Sequence, residues 1–248
     1  MPTFIGLDLA WGSRNESGIC VLSGDMDRLR CLSLDAVVGT PDAFAEIAAS
    51  YGADTFVAVD APLIGGEGRM AERQLGRVFG KYKAGAYLAT PAFLESMDGM
   101  AGPRLGVALR ARGFSLDPAV LHSGGPRVAV EVYPHAAHVV LFELAERLKY
   151  KKGRLADRRE GLRIFQDHLR ALFADHGLIL EAPEVQTVLS AGASEGAGRA
   201  LKQTEDKLDA LTCAYVAYHA WRYGPAQSRV FGDAESGYIL VPWKEGFA

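Results

Sequence analysis

Cysteine is scarce in this chain, and long apolar runs are missing. Only three cysteines occur in 248 residues, Cys20, Cys31 and Cys213, and no two of them have CxxC spacing. An odd, widely spaced set supplies neither a disulfide framework nor a zinc knuckle, so we interpret these thiols as small buried hydrophobic side chains. No GxxxxGK[ST] segment is present either, which argues against a P-loop nucleotidase.

The N-terminal stretch MPTFIGLDLAWG has no basic leader, and Asp8 interrupts its apolar character too early for a signal peptide. No apolar run approaches the ~20 residues that a membrane-spanning helix needs. We therefore expect a cytoplasmic protein without a membrane partner. The composition, 49% hydrophobic and 23% charged, suits one globular domain over residues 1–248. It leaves the oligomeric state open, a homodimer included.

Strand patterns alternate with turns in the first third of the chain. Residues 3–10, 18–22 and 29–34 are apolar or alternating, and they are separated by segments rich in Gly, Asp and Ser. This pattern predicts a three-stranded antiparallel meander. Residues 40–50 then combine a threonine N-cap, a proline and helical apolar spacing, which predicts a helix.

Two later runs, 55–59 and 128–132, are apolar on both faces, as central parallel strands covered by helices should be. The segment between them, about 65–126, is rich in glycine and proline and long for a connection, so we expect an insertion with substrate-facing loops. The remaining patterns predict helices over 134–147, 157–176 and 204–223 and a strand over 238–241. The fold class is therefore α/β, with a mixed sheet flanked by helices.

Four acidic residues are predicted to lie where strands or a helix meet an apolar interior: Asp8, Asp60, Glu131 and Asp209. An ionised carboxylate in such surroundings costs several kcal/mol unless it is paired or bound to a metal. A shared positive partner is therefore expected, and a divalent metal ion is the simplest one.

A set of short segments in a fixed order resembles a known family. These segments are GLDLAWG, VAVDAPL, GRMAERQLGR, VEVYPHA, LKYKKGR and LDALTCAYVAY. Together they resemble the DUF429 family, described as predicted nucleases of the ribonuclease H-like fold. The resemblance spans nearly the whole chain and implies a ribonuclease H-like mixed sheet and a nuclease acting on DNA or RNA.

In Holliday-junction resolvases of that superfamily, acidic residues come from the first strand, a later parallel strand and a DxxD pair on the last helix. Asp8, Asp60 and the pair Asp206 and Asp209 match this layout, whereas Glu131 does not fit it neatly. Asp206 lies near the start of the predicted helix, where complementing the helix dipole also explains an acid.

Phosphodiester hydrolysis needs such an arrangement of acids. Two Mg²⁺ or Mn²⁺ ions about 4 Å apart can activate water and stabilise the leaving oxygen, and both ions prefer carboxylate oxygens. We predict Asp8, Asp60, Asp206 and Asp209 as metal ligands, with Asp8 as the bridging one. Together with Glu131, the residues Asp8, Asp60 and Asp209 are the predicted catalytic set.

Residues 147–163, RLKYKKGRLADRREGLR, contain eight Lys or Arg and two acids in a chain of net charge -3. Such a run attracts phosphates, and Tyr150 is a candidate for stacking on a base; the alternative is a solvated helix junction. The predicted substrate-binding residues are Arg69, Arg73, His135, Lys149, Lys151, Lys152 and Arg154. For Arg69 and Arg73, surface pairs with neighbouring acids are the alternative.

Three other functions compete with a nuclease. Glu131, His135 and His138 are near one another in sequence, but their spacing is not that of a zinc protease. Actin-like ATPases and sugar kinases share a first-strand aspartate followed by a glycine-containing hairpin, here Gly12 and Gly18, yet 248 residues cannot easily hold two copies of the fold. A nucleic-acid-binding module with inactive carboxylates is the third alternative.

Overall fold

A computed structural model describes residues 1–12, 14–66, 68–122, 127–175, 178–179 and 182–247. The strands are β1 (Thr3–Asp8), β2 (Ser17–Gly24), β3 (Leu29–Val37), β4 (Thr55–Val59), β5 (Val128–Glu131), β6 (Leu178–Ile179), β7 (Ser228–Asp233) and β8 (Gly237–Pro242). The α-helices are α1 (Pro41–Ser50), α2 (Ala71–Phe79), α3 (Pro91–Ser96), α4 (Ala101–Ala111), α5 (Pro118–His122), α6 (Pro134–Leu141), α7 (Leu155–Asp175), α8 (Pro183–Leu189), α9 (Ala191–Ser194) and α10 (Gly198–Tyr223). Short 3-10 helices are formed by Gly80–Tyr82 and Gly224–Gln227.

The main sheet has six strands in the order β5, β4, β1, β2, β3, β6. Strands β1, β2 and β3 form the predicted antiparallel meander, while β4 pairs in parallel with β1 and β5 pairs in parallel with β4. The predicted α/β mixed sheet is thus confirmed, and its arrangement is consistent with a ribonuclease H-like fold. Two of the strands, β7 and β8, form a separate antiparallel hairpin.

Helix α10 lies across one face of the sheet, over β1, β2 and β4. Two glycines make this close approach possible. A Cβ added at Gly6 would come within 2.0 Å of the carbonyl oxygen of Ala210, and one at Gly18 within 2.0 Å of that of Asp206. Any larger residue at these two strand positions would push the helix, and the acids on it, away from the end of β1.

Two helices differ in length from the sequence prediction. Helix α10 begins at Gly198 rather than at residue 204, so Asp206 lies beyond its first turn and the helix dipole no longer explains an acid there. Helix α6 ends at Leu141, short of the predicted residue 147, and Glu143 just beyond it has a positive φ of 55°. Among the helices described, none is long and apolar enough to cross a membrane.

The described part of the segment between β4 and β5 is more helical than its glycine and proline content indicated, since it contains helices α2 to α5. Helix α4 packs against α1, and α2 packs against the hairpin of β7 and β8. The two strands predicted to be buried on both faces are so: every residue of β4 and of β5 is buried. These strands fix the positions of the side chains at their carboxyl ends.

Candidate functional site

The carboxyl ends of β1 and β4 lie side by side and bring two predicted site residues together. Leu7 is opposite Val59 in the parallel register, and the backbone N–H of Asp60 donates to the carbonyl of Leu7 at 2.8 Å. Asp8, the last residue of β1, is therefore next to Asp60 at the same edge of the sheet. Both side chains line one cleft.

The last long helix supplies two more carboxylates. Asp206 and Asp209 are separated by about one turn of α10, and both are buried. The Asp206 carbonyl lies directly over Gly18, which pairs with Asp8 across the β1–β2 ladder. The structure thus brings Asp8, Asp60, Asp206 and Asp209 together from three separate elements.

Asp8 and Asp206 form one half of this acidic cluster. Their carboxyl groups are within hydrogen-bonding reach of each other. Burial, reinforced by the Asp8 charge, raises the pKa of Asp206 to about 8, and burial also raises the pKa of Asp8. Two buried like charges cannot both ionise cheaply, so we expect the pair to share a proton in the metal-free protein. Lys202 bonds to Oδ1 of Asp206, while Oδ2 is buried and accepts no hydrogen bond.

Asp60 and Asp209 form the other half, and Lys151 lies between them. Its Nζ is 2.9 Å from Oδ2 of Asp209 and 4.0 Å from Oδ2 of Asp60. Burial lowers the pKa of Lys151, but the charges of Asp209 and Asp8 more than offset this and raise it well above its usual value. Lys151, predicted to bind substrate, lines the cleft, and its ammonium group is also part of the acidic cluster.

Tyr150 is fully buried, so the prediction that it stacks on a base is wrong. Its hydroxyl donates to Oδ1 of Asp209 at 2.6 Å, and its ring packs against His135, His138 and Phe165. Burial raises its pKa well above the usual value, which keeps the hydroxyl protonated as a donor. Tyr150 therefore fixes the orientation of Asp209.

Glu131 is held by a different partner. Arg69 donates to both of its carboxylate oxygens, one of them from Nη1 at 3.0 Å, and the N–H of Leu63 adds a bond at 3.2 Å. Arg69 also donates to Glu72 at 2.6 Å and to the carbonyl of Ile64 at 2.9 Å. Burial raises the pKa of Glu131 to about 8, even though Arg69 lowers it. This arrangement, the Arg69 cluster, joins α2 to the end of β5.

Neither of the two arginines predicted to bind substrate lines the cleft. Arg69 is buried inside the Arg69 cluster and its guanidinium is surrounded by protein acceptors. Arg73 is exposed on α2. The structure brings neither of them, nor Glu131, into contact with the Asp8–Asp206 pair.

A cleft of about 840 Å³ opens above the acidic cluster. Its basic lining residues are Arg14, Arg147, Lys149, Lys151, Lys152, Arg199 and Lys202. Its aromatic lining residues are Trp11, Tyr87, Tyr133 and His135. The floor is therefore acidic and the walls are basic and aromatic, a combination that suits a phosphate-bearing ligand carrying rings.

The basic run divides into two parts in the structure. Residues 147–152 form a loop between α6 and α7 that reaches the cleft. There Lys149 pairs with Glu146 at 2.5 Å and Lys152 donates to the hydroxyl of Tyr87 at 3.4 Å. Arg154 is exposed and pairs with Asp157 at 2.9 Å, which agrees with the alternative of a solvated junction for this part.

Tyr87 and Lys202 are two of the cleft residues that were missed at the level of the sequence. Tyr87 is 71% exposed and Lys152 Nζ lies 5.7 Å from its ring centroid. Its position in a glycine-rich stretch was the available signal, because exposed aromatic residues on loops are common in binding sites. Lys202 lies one turn before Asp206 on α10. Because the predicted helix began only at residue 204, sequence reasoning did not place Lys202 beside Asp206.

His135 lies near the acidic cluster but does not build a zinc site. It is buried, its Nδ1 accepts and donates no hydrogen bond, and burial lowers its pKa well below the usual value. His138 instead contacts Thr212 through Nε2 at 3.1 Å. Over the described ranges, no group of three or more His, Cys, Asp or Glu side chains is arranged as a set of metal ligands.

Gly192–Gly196, GASEG, has the GxSxG spacing of a hydrolase nucleophile elbow. A functional elbow exposes its serine at a sharp turn between a strand and a helix. Ser194 is 1% exposed, lies in α9 and donates to the carbonyl of Ala191 at 2.9 Å. The segment therefore does not form such an elbow.

Comparison with known proteins identifies one family. A model of the family described as "Protein of unknown function (DUF429)" matches residues 6–235, which is nearly the whole chain. A search of curated proteins finds no match. The match includes all four acids of the cluster, the Arg69 cluster and the basic loop. The chain therefore belongs to the DUF429 family.

Proposed function

We propose that this protein is a metal-dependent nuclease that hydrolyses phosphodiester bonds of nucleic acid. One observation carries the proposal: Asp8, Asp60 and Asp206 line the floor of a cleft whose walls are basic. Asp209 is fully buried and is joined to Asp60 through Lys151. Buried carboxylates facing a phosphate-binding cleft would repel the substrate unless cations lie between them.

The donor chemistry of the cluster fits Mg²⁺ or Mn²⁺. These ions prefer hard carboxylate oxygens and keep several waters, so one or two protein carboxylates together with substrate phosphates are enough to hold them. Asp8 and Asp206 are the pair that would hold such an ion, since both line the cleft and Oδ2 of Asp206 is buried without a hydrogen bond. A bound ion would activate water and neutralise charge on the phosphate.

The walls of the cleft support nucleic acid as the substrate class. Arg147 and Lys152 lie on the loop beside the acidic floor, where phosphates next to the scissile one would pass. Tyr87 and Trp11 provide ring surfaces at the same cleft, and base stacking on such rings is worth about 1–3 kcal/mol per base. Neutral His135 adds no charge to this wall.

The two rival functions differ in what they require. An actin-like nucleotide site would need the hairpin at Gly12 and Gly18 to approach phosphates, but Gly18 is occupied by close contact with the Asp206 carbonyl. A binding module without catalysis would use the same basic walls, and only the behaviour of the acidic floor distinguishes it from an enzyme.

The test is cleavage of single-stranded, duplex and branched DNA and RNA with Mg²⁺ or Mn²⁺, alongside the variant Asp8→Asn. This change keeps the side-chain volume and removes one of two neighbouring buried charges, so metal-free stability should stay level or rise. Cleavage should fall by roughly 1,000-fold or more, and the Mn²⁺-induced rise in Tm should disappear. Asp27→Asn, at an exposed turn, is the matched control and should behave like wild type.

Two results would contradict this proposal. A wild-type protein that neither gains stability from Mn²⁺ nor cleaves any of these substrates would favour the binding module. Unfolding of metal-free Asp8→Asn would assign a structural role to Asp8.

A further inference from the structure

The acidic cluster is asymmetric. On one side, Asp8 and Asp206 both line the cleft, and a buried oxygen of Asp206 has no donor. On the other side, Asp60 and Asp209 already have a cation between them, the ammonium group of Lys151. A site built for two metal ions has two sets of carboxylates that each await an ion. Here the ammonium group of Lys151 already bridges one set, whereas Lys202 contacts only Asp206 of the other.

We propose that Lys151 is a catalytic residue that takes the place of one of the two divalent ions, so that the site works with a single Mg²⁺ or Mn²⁺. This inference rests on the proposed nuclease function. It assigns the metal ion to Asp8 and Asp206 and the fixed ammonium group to Asp60 and Asp209.

The residues around Lys151 fix the position of its backbone. The neighbouring Tyr150 is fully buried and donates to Asp209, and its carbonyl accepts from Nε of Arg158 at 3.2 Å. Gly161 lets α7 press against this loop, because a Cβ there would lie 2.2 Å from the carbonyl oxygen of Lys149. With its backbone fixed on both sides, Lys151 places its ammonium group reproducibly, which electrostatic catalysis requires.

Lys151 is also open to the substrate. Its side chain is 28% exposed, and it lines the cleft together with Asp8 and Asp60. Lys202 does not offer the same arrangement. It is 54% exposed, and its contacts, Asp206 and Glu205 at 3.0 Å, both lie on its own helix. Lys151 alone of the two connects carboxylates from different elements.

The role is electrostatic. In hydrolysis, the oxygen of water forms a bond to phosphorus and the bond from phosphorus to the leaving oxygen breaks. Water gives up one proton and the leaving oxygen takes one, so the reaction needs no further reactant. Lys151 forms no covalent bond; it contacts a non-bridging phosphate oxygen and stabilises the negative charge that builds up there.

The experiment measures Mn²⁺ binding to the whole protein by calorimetry, and kcat and KM separately, for wild type, Lys151→Met and Lys151→Arg. Lys207→Met is the matched control, because Lys207 is also 28% exposed and also paired with an aspartate, Asp35, but lies outside the cleft. Circular dichroism and Tm establish that each variant is folded.

We expect wild type to bind one Mn²⁺ per chain. Lys151→Met should bind Mn²⁺ at least as tightly, because the competing ammonium group is gone, yet its kcat should fall about 100-fold with little change in KM. Lys151→Arg should recover part of kcat, and Lys207→Met should match wild type throughout.

Two Mn²⁺ ions per wild-type chain, or an unchanged kcat in Lys151→Met, would overturn the role of Lys151 and leave the nuclease standing. Absence of both Mn²⁺ binding and cleavage in wild type would overturn the nuclease, and this inference with it. If Lys151→Met does not fold, the wild-type stoichiometry and the kcat of Lys151→Arg decide.

Discussion

Two clusters of buried charge lie at the carboxyl ends of neighbouring parallel strands, and they are built on opposite principles. In the Arg69 cluster, two glutamates surround one arginine whose donors reach Glu131, Glu72 and a backbone carbonyl. In the acidic cluster, four aspartates share the cations of Lys151 and Lys202, and a buried oxygen of Asp206 has no donor.

The difference is between a cluster whose charges are fully paired and one whose pairing is incomplete. A buried ion pair is tolerated when its hydrogen bonds are complete, and Glu131 accepts bonds from both Arg69 and Leu63. An incomplete cluster costs stability, and here it faces a cleft that a ligand can enter. Buried charge alone therefore does not distinguish the two clusters; incomplete pairing beside a cleft makes the acidic cluster the candidate site.

The largest expected effect comes from removing the arginine of the Arg69 cluster. Arg69→Met leaves Glu72 and Glu131 buried without their partner, and the free energy of unfolding should fall by about 3–5 kcal/mol. Arg73→Met, an exposed position on the same helix, should change it by less than about 0.5 kcal/mol. Urea unfolding measures both. A loss for Arg69→Met no greater than that for Arg73→Met would show that the Arg69 cluster does not stabilise the fold.

A second test measures how the stability of the metal-free protein depends on pH, which concerns the acidic cluster. The folded-state pKa of Asp206, about 8, exceeds its usual 3.8, so between these values the folded protein holds a proton that the unfolded chain has lost. Metal-free stability should therefore fall as pH rises through this window, by at most about 1.4 kcal/mol per pH unit for one proton.

The pH experiment is urea unfolding from pH 5 to pH 8 with a chelator present. Asp206→Asn should make the decline shallower, since the residue no longer titrates. Mn²⁺ should restore stability most at pH 8, where the shared proton is easiest to displace. A flat profile for the wild type would mean that Asp8 and Asp206 do not share a proton.

The smallest effect concerns the walls of the cleft. Lys152→Ala should weaken nucleic-acid binding and reduce the slope of log K against log salt by roughly one, the value for one lost phosphate contact. Arg154→Ala, two residues away and paired with Asp157, should leave affinity and slope unchanged. Equal slopes for Lys152→Ala and wild type would place the phosphate path elsewhere in the cleft.

Much of the fold could be predicted because its signals are local. The apolar run of β4 was predicted with its observed bounds, Thr55–Val59, and Thr40 caps α1 as its side chain and the following proline indicated. The short β6 and the hairpin strand β7 were not predicted. Their pairing partners, β3 and β8, supply the hydrogen bonds, and exposed residues in β7 weaken the apolar signal.

For the candidate site, too, local features could be predicted and contacts between distant residues could not. Sequence spacing indicated that Asp8, Asp60 and Asp209 meet, because each follows or interrupts an apolar element at a fixed place. It did not indicate that Glu131 binds Arg69, 62 residues earlier in the chain, or that Lys151 enters the acidic cluster. From sequence alone, a lysine or an arginine is interpreted as a surface residue, because its burial and its partners depend on distant parts of the chain.

Hydrophobic periodicity and capping act within a few residues of chain, and they were enough to predict strands β1 to β5 and the acids at or directly after the ends of β1, β4 and β5. Which buried charges are paired with each other, and which face a cleft, depended on the packing of elements that are distant in sequence. Coulomb energy depends on distance in space and on burial, and two residues such as Lys151 and Asp209 acquire both only when Gly6 and Gly18 let α10 settle on the sheet.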